Sequence, residues 1–140
     1  MKKWIISLFK TYVPAVLWTV LLLALLCTPG KDLPNLGEWT ELIKLDKWLH
    51  ILFFGMMALF YMFPLMQKKL PRPLLQVQFL KISLAVCVWG FCTECIQYFW
   101  VSGRTFDLYD AVADAIGATI AYFLAKKYLL NNTFKAANRL

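Results

Sequence analysis

Ionisable and amide side chains lie inside or beside three long apolar stretches of this chain, and their types could support binding or proton transfer. They form three groups, which are Asp46, Lys47 and His50, then Glu94 and Gln97, then Arg104, Asp107, Asp110 and Asp114. Residues three or four apart share one face of a helix, so each group would present its polar side chains together. Histidine and carboxylates can act as general acids and bases, whereas lysine and arginine bind phosphate or carboxylate.

The composition assigns these groups to a membrane protein. Hydrophobic residues make up 61% of the 140, against roughly 45–50% in soluble domains. A soluble chain of this length could not bury so much apolar surface. The formal charge of +7 is also found in nucleic-acid-binding proteins, but here the basic residues flank apolar stretches, which is typical of membrane orientation. We therefore expect membrane lipid as a partner and no nucleic acid.

Four apolar stretches predict the fold, and they span residues 9–27, 48–66, 79–100 and 108–130. Each has close to the roughly 20 residues that a spanning helix needs, and none alternates like a barrel strand. The first stretch resembles a signal peptide, but its length and the lack of a small-residue cleavage site favour an anchor. We predict an all-α, integral membrane four-helix bundle that forms a single domain over residues 1–140, with residues 131–140 as a cytoplasmic tail.

The distribution of charge predicts the orientation. Eleven of the 15 Lys and Arg residues lie in the N-terminal segment, in the second loop with the start of the third helix, or at the C-terminus. The other side carries four basic residues and all eight carboxylates. Because cytoplasmic loops are rich in Lys and Arg, we expect both termini in the cytoplasm.

Carboxylates within spanning helices require an explanation, because each costs about 2.5–3.5 kcal/mol at the helix centre. We expect Glu94 and Asp114 to face the bundle interior or a water-filled pocket, paired with Arg104, Lys47 or His50. Intramembrane ionisable residues are functional by default, and for Glu94, Arg104 and Asp114 we favour function over structure. The charge pattern assigns all of these groups to the outer leaflet.

Structural roles are the alternative for several other residues. Asp46 and Asp107 could cap helices, and Gln97 could bond a neighbouring helix. The cysteine pair Cys92 and Cys95 has the spacing of a redox pair, but cysteines in apolar helices more often act as small hydrophobes, so we favour packing. A stripe of small residues on the fourth helix predicts close helix packing, and it consists of Ala113, Gly117 and Ala121.

Taken together, the motifs resemble those of the VanZ-like family. They are Asp46-Lys47-x-x-His50, Glu94-x-x-Gln97, Gly103-Arg104-x-x-Asp107-x-x-Asp110 and Asp114-x-x-Gly117. One position departs from the family pattern, since Asp114 stands where the family more often has Asn. The resemblance implies a four-helix protein of the bacterial cytoplasmic (inner) membrane. The family's namesake is linked to low-level resistance to the glycopeptide antibiotic teicoplanin.

We predict an outward-facing polar pocket that binds or processes a lipid-linked or cell-wall precursor and affects glycopeptide susceptibility. The predicted catalytic residues are His50, Glu94 and Asp114. The predicted substrate-binding residues are Asp46, Lys47, Gln97, Arg104, Asp107 and Asp110. The sequence leaves open whether a reaction is catalysed and how the chain oligomerises.

Three other functions compete with this hypothesis. We expect no cofactor and no metal, because a single histidine with lysine and arginine close by disfavours a divalent ion, although the carboxylates would suit one. A small oligomeric transporter or scramblase would also use intramembrane charge. In a non-catalytic structural subunit, the charges would only fix the bundle.

Overall fold

The computed structural model describes residues 2–29, 44–68 and 70–129, and within these ranges the chain is all-α with no strand. Its four helices are α1 (Lys2–Leu26), α2 (Leu45–Met66), α3 (Arg72–Trp100) and α4 (Leu108–Leu124), and α4 continues as a π-helical turn, Ala125–Leu129. The predicted four-helix bundle is confirmed. Most of the first loop and the predicted tail 131–140 lie outside the described residues.

The helix starts follow local signals. α3 begins at Arg72, well before the predicted residue 79, because a proline in the first turn presets the helical φ angle. Asp107 is the N-cap of α4, where its side chain accepts a hydrogen bond of 2.8 Å from the Tyr109 N–H. The N-cap of α2 is instead Lys44, with φ 48°, so Asp46 lies in the first turn and does not cap the helix.

Three helical segments are long and apolar enough to cross a membrane, namely Leu45–Met66, Arg72–Trp100 and Leu108–Lys127. The apolar part of α1 described with them is shorter, Thr11–Leu26. Large hydrophobic side chains point outward from the bundle, for example Leu17, Val88 and Phe123, which are 62%, 64% and 59% exposed. Apolar surface on this scale is suited to lipid, and the protein is a membrane protein.

Side-chain contacts define the directions of the helices. The Trp18 indole N–H of α1 donates to the Phe53 carbonyl of α2 at 3.0 Å, and the Thr19 hydroxyl lies 3.1 Å from that of Tyr61. Trp18 thus contacts Phe53 early in α2, whereas the ring of Tyr12, earlier in α1, lies 6.5 Å from that of Tyr61, later in α2. α1 and α2 therefore run antiparallel. The last turns of α1 and α3 therefore meet the first turns of α2 and α4 at one end of the bundle.

Small residues let α2 and α4 approach closely. Ala113 and Ala121 are 5% and 1% exposed, and Gly117 lies against the α2 backbone, where an added Cβ would come within 3.0 Å of the Ile51 carbonyl carbon and the Gly55 nitrogen. The predicted packing role of the small-residue stripe is confirmed. Close packing of α2 and α4 aligns the polar first turns of both helices.

Gly117→Val is expected to lower the free energy of unfolding by about 1–3 kcal/mol, because the branched side chain must displace the α2 backbone. Thr119→Val is the matched control, since residue 119 is exposed on the same helix and should change stability by less than about 0.5 kcal/mol. Thermal unfolding in detergent measures both. Equal stability of the two variants would contradict the close α2–α4 contact.

Candidate functional site

The central contact of the site joins His50 of α2 to Asp114 of α4. Their Nδ1 and Oδ1 atoms lie 2.8 Å apart, and the two residues are 9% and 0% exposed. When Asp114 is ionised, its carboxylate only accepts hydrogen bonds and the imidazole donates through Nδ1. The ring also stacks on Phe54, with centroids 6.0 Å apart and planes within 5°. Both contacts fix the orientation of the imidazole, and its Nε2 atom faces away from Asp114.

Lys47 ties the first turn of α2 to the first turn of α4. Its ammonium lies 2.5 Å from Asp107 Oδ2 and 2.5 Å from Asp110 Oδ1. It also reaches Asp46 at 3.0 Å, but that side chain is 59% exposed, so the pair contributes little. The hydrogen bond from Lys47 lowers the pKa of the Asp107 carboxyl, which precedes the spanning part of α4. Lys47 therefore keeps two carboxylates of the turn in place.

Glu94 brings α3 into the same site. The residue is 0% exposed, and its Oε2 atom accepts a hydrogen bond of 3.2 Å from the Asp107 backbone N–H. Its Oε1 atom is buried and has no hydrogen-bond partner among the described residues. We call the assembled group the polar cluster, and it consists of Lys47, His50, Glu94, Asp107, Asp110 and Asp114.

Three predicted site residues lie outside the polar cluster, and of these Asp46 touches it only through its exposed pair with Lys47. The Gln97 side chain donates from Nε2 to the Leu26 carbonyl at 2.9 Å and so holds the end of α1 against α3. Arg104 lies in the turn between α3 and α4, where its Nε atom is buried and has no hydrogen-bond partner in the described part of the chain. Of the expected partners of Glu94 and Asp114, His50 pairs with Asp114, whereas no pairing of either carboxylate with Arg104 is observed among the described residues.

Sequence reasoning missed one residue that shapes the cluster. Gly90 of α3 lies against Asp114, and a Cβ added there would lie 2.7 Å from the Asp114 Cβ. Thr93 donates its hydroxyl hydrogen to the Gly90 carbonyl at 2.7 Å. A glycine one turn before an intramembrane glutamate is the signal that would have identified the position, since it indicates close approach of another helix.

The comparison with protein families assigns the sequence to a family. The profile described as VanZ/LLP1 matches residues 4–131. The chain belongs to the VanZ/LLP1 family. No match is found among curated proteins or solved structures.

The cluster draws on all the segments of sequence that resemble the VanZ-like pattern. Residues from the α2 motif, the α3 motif and the α3–α4 turn meet within one set of hydrogen bonds and ion pairs. At position 114 the carboxylate accepts from His50, which the oxygen of an asparagine amide could also do. Asp114 therefore makes a contact that asparagine could also make and, when ionised, adds a negative charge to the polar cluster.

A double-mutant cycle tests the His50–Asp114 contact. His50→Ala and Asp114→Ala are each expected to cost about 3–5 kcal/mol of stability, because either change leaves a buried polar partner unpaired. The double variant should cost about 1–3 kcal/mol less than the sum. Chemical unfolding in detergent provides the four free energies.

Asp46→Ala is the control for that cycle, since its exposed side chain should contribute less than about 1 kcal/mol. Additive effects of His50→Ala and Asp114→Ala, within about 0.5 kcal/mol, would show that the two side chains are not coupled.

Proposed function

We propose that this VanZ/LLP1 protein binds or processes a lipid-linked or cell-envelope substrate at the polar cluster, which faces the outside of the cell. The observation that carries the proposal is the convergence of buried ionisable side chains from α2, α3 and α4 in a membrane protein. Such residues are costly in lipid and mark substrate or ion sites. Glu94 and Asp114 are both 0% exposed, so the cost is not relieved by bulk water.

An anionic substrate group would be recognised by Arg104. Its guanidinium is planar and binds phosphate or carboxylate with two parallel hydrogen bonds. The described residues leave its Nε atom without a partner, whereas Lys47 is already engaged by three carboxylates. Arg104 is therefore the stronger candidate to hold a phosphate at the mouth of the cluster.

An apolar cavity supports a lipid-linked substrate. The cavity has a volume of about 350 Å³ and lies between α1, α2 and α3, with Thr19, Tyr61, Val86 and Trp89 among its lining residues. Val86 is eight residues from Glu94 along α3, or about 12 Å deeper in the bundle. A substrate with a polar head and a hydrocarbon chain would use both regions.

If the substrate is processed, His50 is the proposed general acid or base. Its Nδ1 is held by Asp114, which leaves Nε2 to exchange a proton with a bound group. Glu94 would act beside it, and Asp46, Lys47, Asp107 and Asp110 would shape the binding surface. Gln97 would act indirectly through the position of α1.

The core of the bundle below the polar cluster argues against the competing transporter function. The buried side chains there are apolar, including Phe54, Met57, Met62 and Phe79. Ser83 is polar, but its hydroxyl is satisfied by the Ala118 carbonyl at 3.1 Å. Among the described residues, the ionisable groups therefore do not continue as a path through the bundle.

The proposed topology is a multi-pass protein of the bacterial cytoplasmic membrane with both termini inside. In a variant whose four native cysteines are replaced, Ser102→Cys should react with a membrane-impermeant maleimide in intact spheroplasts. Gln67→Cys, on the exposed turn between α2 and α3, should react only after lysis. The reverse pattern would place the polar cluster at the cytoplasmic face and overturn the proposed orientation.

Binding of a polyprenyl phosphate tests the proposed function. In nanodiscs, the wild-type protein should bind the phosphate more tightly than the uncharged polyprenol. Arg104→Gln should lower that affinity about 10- to 100-fold, because a hydrogen bond to a charged group is worth about 1.5–3 kcal/mol. Native mass spectrometry or a fluorescent lipid analogue measures the change.

Lys126→Gln is the matched control, since it removes an exposed positive charge at the opposite end of the bundle. Its affinity should equal that of the wild type, and in cells only Arg104→Gln should alter teicoplanin susceptibility at equal protein level. Equal binding by Arg104→Gln and wild type would refute the anionic-substrate proposal and leave a structural role for the cluster.

A further inference from the structure

We propose that His50, Glu94 and Asp110 bind a divalent first-row metal ion such as Zn²⁺ or Mn²⁺. The three residues come from α2, α3 and α4, and each offers one ligand atom, with all of these atoms within 4.8 Å of one another. Imidazole and carboxylate together suit borderline divalent ions. This inference goes beyond the proposed substrate site, because a metal ion can be detected without any substrate.

The orientation of His50 is that of a metal ligand. Its Nδ1 lies 2.8 Å from Asp114 Oδ1, and when Nδ1 donates to the ionised carboxylate the lone pair of the neutral ring lies on Nε2. That Nε2 atom is 3.9 Å from Asp110 Oδ2. A histidine that binds metal commonly donates its other ring N–H to a carboxylate, which fixes the tautomer and increases ligand basicity. Asp114 supplies that carboxylate here.

Glu94 provides an independent observation. Its side chain is fully buried, and Oε1 has no hydrogen-bond partner among the described residues. An unpaired buried carboxylate oxygen is costly. Because the other oxygen is held by the Asp107 N–H, the carboxylate cannot turn to satisfy both atoms at once. A cation coordinated by Oε1 would remove the cost.

Lys47 does not occupy the same position. It binds Asp110 through Oδ1, whereas Asp110 faces His50 through Oδ2. One lysine also cannot balance the four carboxylates of the polar cluster, which are Glu94, Asp107, Asp110 and Asp114. Basic residues close by were the sequence argument against a metal ion. That argument is weakened, because Lys47 and His50 face different oxygens of Asp110.

Three protein ligands would leave coordination positions open. Zinc binds nitrogen and oxygen at about 2.0–2.2 Å, which separates two ligand atoms of a tetrahedral site by about 3.4 Å. Ligand atoms that lie up to 4.8 Å apart therefore need to approach one another by up to about 1.4 Å. The open positions could accept water or a substrate oxygen, which is the arrangement of catalytic rather than structural zinc sites. With the ion bound at Nε2, His50 would act as a ligand in place of the general acid or base proposed for the metal-free site. A bound phosphate would then be held jointly with Arg104.

Metal content of the purified full-length protein tests the inference. Wild type in detergent should retain about one Zn²⁺ or Mn²⁺ per chain after dialysis against the metal and then against buffer, measured by elemental analysis. Added metal should also raise its unfolding temperature. Wild type that binds neither ion stoichiometrically would overturn the proposal, whatever the variants do.

Glu94→Gln and Asp110→Asn keep the side-chain shape but remove a ligand charge. Since loss of a supporting residue around a metal already costs 10- to 100-fold in affinity, loss of a ligand should cost about 100-fold or more. The double variant Cys92→Ser/Cys95→Ser is the control, because a C-x-x-C pair could bind zinc by itself. It should retain wild-type affinity, and loss of metal in this control would assign the ion to the cysteines and overturn the proposal.

Cobalt substitution gives a readout that does not depend on variant folding. Co²⁺ in the wild-type protein should show visible d–d absorption without the intense near-ultraviolet band of a thiolate ligand. A thiolate band would contradict the site. If Arg104→Gln bound the lipid as tightly as the wild type, only the anionic-substrate proposal would be refuted. The metal proposal and the substrate proposal are therefore tested independently.

Discussion

A carboxylate buried between membrane-spanning helices must find a partner, and the hydrogen bond with His50 meets this requirement for one oxygen of Asp114, Oδ1. The contact joins α2 to α4 and orients the imidazole. Because Asp114 is fully buried, only side chains of the packed helices can lie beside the contact. Lys47 reinforces the same pair of helices from the rim, where it bridges Asp107 and Asp110.

Close approach of the helices makes that contact reachable. Gly117 packs on the α2 backbone near Ile51, and Gly90 of α3 makes room for Asp114. Both positions exclude a side chain because backbone or carboxylate atoms occupy the space. The buried contact therefore depends on the small residues, because helices held further apart would place His50 beyond hydrogen-bond reach of Asp114.

The result is a bundle with two unlike halves. One end gathers the polar cluster, while the remaining core is largely apolar and includes a cavity beside α1. This asymmetry favours a site for an amphipathic molecule over a polar path through the bundle. Three buried side-chain polar atoms have no hydrogen-bond partner among the described residues, namely Glu94 Oε1, Asp114 Oδ2 and Arg104 Nε. The two carboxylate oxygens would accept a cation, whereas the guanidinium nitrogen would bind an anion. They suggest a cation and an anion as the natural ligands of the same region.

The sequence by itself determined the four helices, the membrane environment and the residue types of the site, because hydropathy and helical spacing are local properties. The Asp107 cap and the Ala113 and Gly117 packing face were predictable for the same reason. Only the tertiary structure decided which charges pair. It paired Asp114 with His50, turned Gln97 toward α1 and left Arg104 Nε without a hydrogen-bond partner among the described residues. Partner choice depends on distances of a few ångströms between separate helices, and spacing along one helix does not encode those distances.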